Sequence, residues 1–146
     1  MLLKEIELKG RRIVGGIGEG PALVTSEAIS FFGGVDPESG NIIDKTHELY
    51  GRCITNKILV FPRGKGSTVG SYTIFALSKN RKTPCAMLNI ETEPIIAAGC
   101  VLGNIPLMDR LSQNPLEIIE EGDHILVDAD KGLVKVVKKE QGASSR

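Results

Sequence analysis

The sequence predicts an α+β domain built mainly from short strands, and three observations predict it. Apolar runs of strand length recur at residues 57–61, 86–90 and 125–128, each bounded by turn-forming residues. Helical spacing of apolar residues is sustained only around 71–80. The 17 glycines and an aromatic content of 4% describe an aliphatic core interrupted by tight turns. A chain of 146 residues falls in the usual range for one core, roughly 100–200 residues, so the expectation is a single domain over 1–146. At this size about two-thirds of the unfolded surface is buried, and folding needs no cross-links.

Residues 3–8 alternate apolar and charged side chains, the pattern of a half-buried strand. Residues 10–20 hold five glycines and run into Gly20-Pro21, which reads as a loop or a bent edge strand. Ala22-Leu23-Val24 reads as a short strand and 26–32 as a turn. Residues 33–40 are dense in turn formers and predict a surface loop, with Asp36 before Pro37 as turn initiator. Ile42-Ile43 is a second short apolar piece. Residues 57–61 are the clearest buried strand, stopped by Pro62, which has no N–H to donate. A glycine-rich turn at 63–70 leads into the helix at 71–80, with Ser67 or Thr68 as N-cap and Thr83-Pro84 beyond its end. Residues 86–90 predict another buried strand. Residues 93–99 predict one or two helical turns, with Pro94 in the first. Val101-Leu102 and Ile105-Pro106-Leu107 read as short strands, and 114–119 as a brief helix opened by Pro115. Strand 125–128, the turn Ala129-Asp130-Lys131-Gly132 and strand 133–137 make a hairpin. The polar stretch 138–146 is expected to fray. With no repeat and no linker, the pattern is α+β or β/β/α, with the glycine turn at a strand-to-helix junction.

Lys plus Arg number 18 and Asp plus Glu 18, so the formal charge is zero. Binders of nucleic acid or anionic membranes usually carry a basic surplus, so neither partner is expected. No apolar run approaches the roughly 20 residues of a membrane span, and the first residues do not read as a secretion signal, so the expected location is cytoplasmic. Cys53, Cys85 and Cys100 are odd in number and widely spaced, which argues against a disulfide framework. With His47 and His124 they form no paired metal-ligand spacing, and iron–sulfur ligation needs several converging thiolates, whereas these three are widely separated in the sequence, which leaves open whether they approach a cluster. Cys85 and Cys100, in apolar surroundings, read as small buried hydrophobes. Asp109 reads as a helix cap. Asp128 and Asp130 resemble a calcium-loop fragment but lack the later Glu, so the hairpin is preferred.

Chemistry concentrates at 63–70. A glycine turn opening a helix leaves backbone N–H groups without partners, and the helix dipole favours negative charge there. Arg63 and Lys65 add positive charge, and Ser67 stands where its hydroxyl can face a carboxylate or phosphate. The nucleotide fingerprints do not fit. Gly66 separates Lys65 from Ser67, where a P-loop needs them adjacent, and Gly70 is one place late for the dinucleotide pattern. A tight turn with Ser67 as a plain cap is the competing reading.

The chain also carries an ordered set of segments: Gly20-Pro21-Ala22-Leu23-Val24, then Phe32-Gly33-Gly34-Val35-Asp36-Pro37-Glu38-Ser39-Gly40, then Ile58-Leu59-Val60-Phe61-Pro62-Arg63-Gly64-Lys65-Gly66-Ser67 continuing to Gly70-Ser71-Tyr72. Residues 89–93, Ile105-Pro106-Leu107 and 122–130 follow. The set resembles the stand-alone swivel domains of the aconitase X family, the kind that serve as small subunits of archaeal-type phosphomevalonate dehydratases. The resemblance covers roughly 18–137, and Phe-Pro-x-Gly-Lys-Gly-Ser is its most specific part.

That resemblance implies a swivelling β/β/α fold of the aconitase-swivel kind. It implies a heterodimer in which a larger subunit carries a [4Fe-4S] cluster and this chain binds no cofactor or metal. The pair is expected to dehydrate 5-phosphomevalonate, a small phosphorylated hydroxy acid, to trans-anhydromevalonate 5-phosphate in a modified mevalonate route to isoprenoids. Ser67 occupies the family's proton-acceptor position. Gly64, Lys65 and Gly66 become turn and anion-stabilising positions, and Arg63 a contact to carboxylate or phosphate. Two alternatives stand beside this. One is an aconitase X-type dehydratase for another hydroxy acid such as cis-3-hydroxyproline. The other is a non-enzymatic anion-binding module using the same turn.

Overall fold

A computed structural model describes residues 3–139. Its strands are β1 (Leu3–Lys9), β2 (Arg11–Val14), β3 (Ile17–Val24), β4 (Ile58–Val60), β5 (Ala86–Leu88), β6 (Leu107–Asp109), β7 (His124–Asp128) and β8 (Leu133–Lys139). Its helices are α1 (Gly70–Lys79), α2 (Pro94–Gly103) and α3 (Pro115–Ile118). The eight strands form one sheet in the order β1-β8-β7-β3-β4-β5-β6-β2. The two end strands are consecutive in the chain and separated only by Gly10, so the sheet curls until its ends meet. The Gly10 N–H donates to Gly132 O at 3.1 Å, and a side chain there would strike Leu111.

β3 is the strand on which the curl turns. Its first part pairs antiparallel with β7, Ile17 opposite Asp128 through Pro21 opposite His124. Its last three residues pair parallel with β4, Ala22 opposite Ile58 through Val24 opposite Val60. The glycines make this passage possible. A Cβ on Gly18 would lie 2.2 Å from Cys85 O, and one on Gly20 2.8 Å from Asn56 O. The glycine-rich stretch is therefore no loop: it supplies edge strand β2 and the first half of a central strand.

The parallel strands β4, β5 and β6 are buried on both faces, as parallel sheets are when both sides are covered. Alternation then sorts their side chains into two cores. Ile58, Val60, Ala86, Leu88 and Met108 join Leu8, Ile125, Val127, Val134 and Val136 between the two halves of the sheet. Leu59, Met87 and Leu107 face the other way, onto Ile74 and Leu77 of α1, Ile96 and Cys100 of α2, and the long connection between β3 and β4. Two layers of strand and one of helix result, the β/β/α arrangement.

The expected strand at 101–102 is instead the last part of α2, where Val101 and Leu102 are exposed. α2 is longer than the one or two turns expected, because Glu93 caps its start and Asn104 closes it in a left-handed conformation. The turn expected at 26–32 carries buried Ile29 and Phe31, and Ile29 bridges to Gly64. In the 33–40 loop Val35 is likewise buried and bridges to Ile42. Lys138 and Lys139, expected to fray, instead extend β8; the rest of the expected tail, 140–146, lies outside the described residues. No helix among the described residues is long and apolar enough to cross a membrane.

Asp109 caps no helix. It ends β6 with no exposed surface and receives both arms of the Arg11 guanidinium, Nε and Nη2 each at 2.8 Å, so β2 is clamped to β6. The Thr92 N–H donates to its Oδ2 at 2.7 Å. Burial pushes the Asp109 carboxyl up, but Arg11 and Thr92 together hold it below the ordinary carboxylate range.

Two outcomes follow from this packing. Gly18→Ala forces β3 off the Cys85 carbonyl and lowers stability by about 1–3 kcal/mol or more, read from denaturant midpoints. Asp109→Asn costs about 1–2 kcal/mol near neutral pH, a modest figure because Arg11 is partly solvated. Because the folded pKa is depressed, this stabilisation is present above the unfolded value of about 4 and is lost as pH falls through the folded one. The melting temperatures of wild type and variant should therefore converge in acid.

Candidate active site

β4, β5 and β6 all end on one edge of the sheet, where α1 and α2 begin, the usual place for a site in an open parallel sheet. Buried Asn89, just past β5, ties the strand exits together: its Nδ2 donates to Phe61 O at 3.1 Å and Leu88 O at 3.3 Å. The Ile90 N–H donates to Pro62 O at 3.1 Å. The chain leaving β4 is thus fixed up to Pro62, where the glycine turn starts.

Within the turn, Gly64 is buried and pairs with Ile29: the Ile29 N–H donates to Arg63 O at 3.1 Å, and the Lys65 N–H to Ile29 O at 3.0 Å. A Cβ on Gly64 would lie 2.5 Å from Glu93 Oε1 and 2.5 Å from Ile96 Cγ1. Gly66 has φ +88°, and its missing side chain would lie 2.3 Å from Ser30 Oγ. Gly64 is favoured by close approach and Gly66 by its conformation.

Ser67 stands exposed at the tip. Its Oγ accepts the Val69 N–H at 3.3 Å, and its carbonyl accepts the Gly70 N–H at 3.0 Å. The helix N-cap is Val69, not Ser67 or Thr68, and no side chain caps α1. Ser67 instead closes a tight turn immediately ahead of the helix. Among the described residues the N–H groups of Gly66, Ser67 and Thr68 have no acceptor, and successive free N–H groups form a concavity suited to an anion. α1 also has no acidic residue in its first turn to compete for that place. At α2 the equivalent groups are occupied, since the Glu93 carboxylate accepts the Ile95 and Ile96 N–H.

The sequence-predicted residues Arg63, Gly64, Lys65, Gly66 and Ser67 therefore lie together on one turn. Arg63 and Lys65 are exposed, and neither is in an ion pair among the described residues. Asp44 lies within electrostatic reach of Lys65. Its carboxyl is held low first by the Thr46 hydroxyl and N–H, with smaller help from His47 and Lys65. Apolar Phe32, Val69 and Tyr72 stand largely exposed on the flanking chain.

The other candidates are structural. Asp36 accepts the Ser39 hydroxyl at 2.7 Å and the Glu38 N–H at 3.1 Å, as a turn initiator does. His47 Nδ1 accepts the Leu49 N–H, leaving Nε2 to donate to Ala28 O at 3.2 Å, so the ring pins its loop. His124 is exposed and pairs with Glu19. Asp128 accepts the Lys131 N–H within the hairpin, and Asp130 accepts the Gly16 N–H across from it. Cys100 is buried against Met87, and burial pushes its thiol far up. Burial also raises the Cys85 thiol. Cys53 is pulled the other way: burial raises it, but Thr55, Lys57 and Lys82 more than offset that. No three His, Cys, Asp or Glu side chains among the described residues are placed to share a metal ion.

Two neighbours of the turn escaped the sequence. Ser30 arrives through the Ile29–Gly64 bridge, a long-range pairing with no local signature. Glu93 had a signal, a carboxylate immediately before a proline at the first helical position.

The chain is similar to known proteins along most of its length. The sequence profile described as the aconitase X swivel domain matches residues 7–136. A protein of Methanocella arvoryzae named phosphomevalonate dehydratase small subunit is 52% identical over 131 residues, covering 90% of this chain and 99% of its own. The protein of that name from Methanocaldococcus jannaschii is 52% identical over 134 residues, covering 92% and 100%. A crystal structure of Thermococcus kodakaraensis aconitase X in its holo form superposes with TM-score 0.86 at 47% identity, covering 91% of this chain and 99% of that one. With fold and profile in agreement, the chain belongs to the aconitase X swivel-domain family.

Proposed function

We propose that the chain is the small subunit of a two-chain hydro-lyase that removes water from (R)-5-phosphomevalonate, giving trans-anhydromevalonate 5-phosphate for isoprenoid synthesis. The observation that carries this is the identity to small subunits of that name along nearly their whole length. The geometry of the turn supports a share in the chemistry.

Dehydration takes a proton from the carbon beside the carboxylate, forms a C=C bond and expels the hydroxyl from the next carbon. A serine is a base for that step only if its alkoxide is stabilised. The Val69 N–H already donates to Ser67 Oγ, and a donor to the charged form lowers the cost of making it. The free N–H groups of Gly66, Ser67 and Thr68 and the start of α1 add fixed positive potential, which acts most strongly where water is excluded. In this reading the Ser67 alkoxide accepts the proton. Gly64 and Gly66 let backbone approach the substrate closely, while Lys65 and Arg63 hold its carboxylate or phosphate. Exposure of Ser67 on the free chain fits a site that is enclosed when a large subunit covers it.

The family's iron–sulfur cluster finds no fitting ligand set here. Cys53, Cys85 and Cys100 are free thiols, and no group of three or more His, Cys, Asp or Glu side chains among the described residues is placed to hold a metal. We place the [4Fe-4S] cluster, and with it the leaving-group chemistry, on the large subunit.

The test is anaerobic co-purification with the large subunit, then mass spectrometry of 5-phosphomevalonate incubated with the pair. Loss of one water that needs both chains is expected. A stable pair that leaves 5-phosphomevalonate intact but dehydrates cis-3-hydroxyproline moves the substrate, and failure to pair at all sinks the subunit reading. Ser67→Ala should lower turnover by about 100-fold or more. Assembly and melting temperature should change little, since the hydroxyl makes one long bond at an exposed turn. Wild-type turnover in that variant removes Ser67 from the mechanism.

A further inference from the structure

We propose that Glu93 is a positioning residue for the Ser67 turn: its carboxylate is the seat on which Gly64 rests, and so it sets where Ser67 stands. The inference rests on Ser67 as the reacting residue only for its kinetic consequence; the seat itself is a matter of contacts.

Glu93 Oε2 accepts the Ile95 N–H and Oε1 the Ile96 N–H, both at 2.9 Å, which fixes the carboxylate across the start of α2. The same Oε1 is 2.5 Å from the point a Gly64 side chain would occupy, so turn and carboxylate are in direct contact. Capping alone does not call for this residue. Asn, Asp, Ser and Thr are the favoured caps because their short side chains reach the second and third N–H unaided. The longer Glu caps and also fills the space up to the Gly64 backbone.

The seat is braced from behind. The Thr92 N–H is held by Asp109, and Asp109 by the two-armed Arg11 bond, so the segment leading into Glu93 is anchored to β6 and β2. On its other side the turn is held by Ile29 and Ser30. Gly64 thus lies in contact with Glu93 and paired with Ile29, and Ser67 follows three residues later, its carbonyl accepting the Gly70 N–H. The carboxylate also occupies the start of α2, leaving the start of α1 as the open one of the two helix starts at this edge.

The experiment separates seating from capping. Glu93→Ser is a good cap that is too short to touch Gly64, whereas Glu93→Gln keeps the reach and one carbonyl acceptor. Both are made in the small subunit and examined alone by backbone amide NMR, then with the large subunit by steady-state kinetics. For Glu93→Ser we expect a melting temperature close to wild type and displaced amide shifts at Gly64, Gly66 and Ser67. We also expect kcat lowered about 10–100-fold with KM within about threefold, the signature of a displaced reacting group. Glu93→Gln should restore the wild-type shifts and most of kcat. Unmoved shifts at the turn in Glu93→Ser, or failure of Glu93→Gln to restore them, overturns the proposal and leaves Glu93 a plain cap. Full turnover in Ser67→Ala alongside displaced shifts in Glu93→Ser would instead overturn the role of Ser67 and leave the seat standing.

Discussion

The passage of β3 past the carbonyls of Cys85 and Asn56 is the constraint on which the other contacts depend. One strand serves two pairings, antiparallel to β7 and parallel to β4, and it can lie that close only because residues 18 and 20 carry no side chain. From that crossing the two halves of the sheet face one another and enclose the aliphatic core of Val127, Val134, Val136 and their neighbours. The same crossing starts the parallel half, whose other face takes the helices. The edge on which Ser67 stands exists because those parallel strands all end on the same side.

Electrostatics at that edge are asymmetric by construction. Two helices begin there, and each start carries the positive end of a dipole. The start of α2 is neutralised by its own Glu93, while the start of α1 is left without side-chain cap or acidic neighbour, behind a turn with free N–H groups. Arg63 and Lys65 reinforce that choice without being spent on ion pairs among the described residues. Two further acidic residues are engaged elsewhere, Asp109 with Arg11 and Asp44 with Thr46.

What the sequence made legible was whatever depends on neighbours in the chain. Periodicity marks 57–61 as β4 and 71–80 as α1 within a residue or two, and Pro115 and the Asp130-Lys131-Gly132 turn mark α3 and the β7–β8 hairpin correctly. The glycine turn and its five candidate residues are contiguous, so one strand-to-helix junction brings them together. What stayed hidden depends on distant pairing. Glycines at 18 and 20 look like part of a loop or a bent edge strand until the Cys85 and Asn56 carbonyls that demand them are in place. Val101 and Leu102 look like a strand because a helix face without charge has no amphipathic signature. Asp109 looks like a cap because its partner Arg11 lies at the far end of the chain. Ser30 and the seat under Gly64 are invisible for the same reason.

The meeting of the sheet's ends at Gly10 bears on how the chain reaches its native state. β1 pairs with β8, Leu3 opposite Lys139 and Lys9 opposite Leu133, so the contacts that complete the sheet join its most distant segments. Loop-closure entropy for such pairings must be met before they return any stabilisation, and rates fall as the mean sequence separation of contacts rises. A chain emerging from the ribosome holds β1 and β2 early but cannot pair β1 until β8 has been made. In that interval the lone β1 presents an unpaired edge. Its Lys4, Glu5, Glu7 and Lys9 are the kind of charged residues that keep such an edge from recruiting the wrong strand.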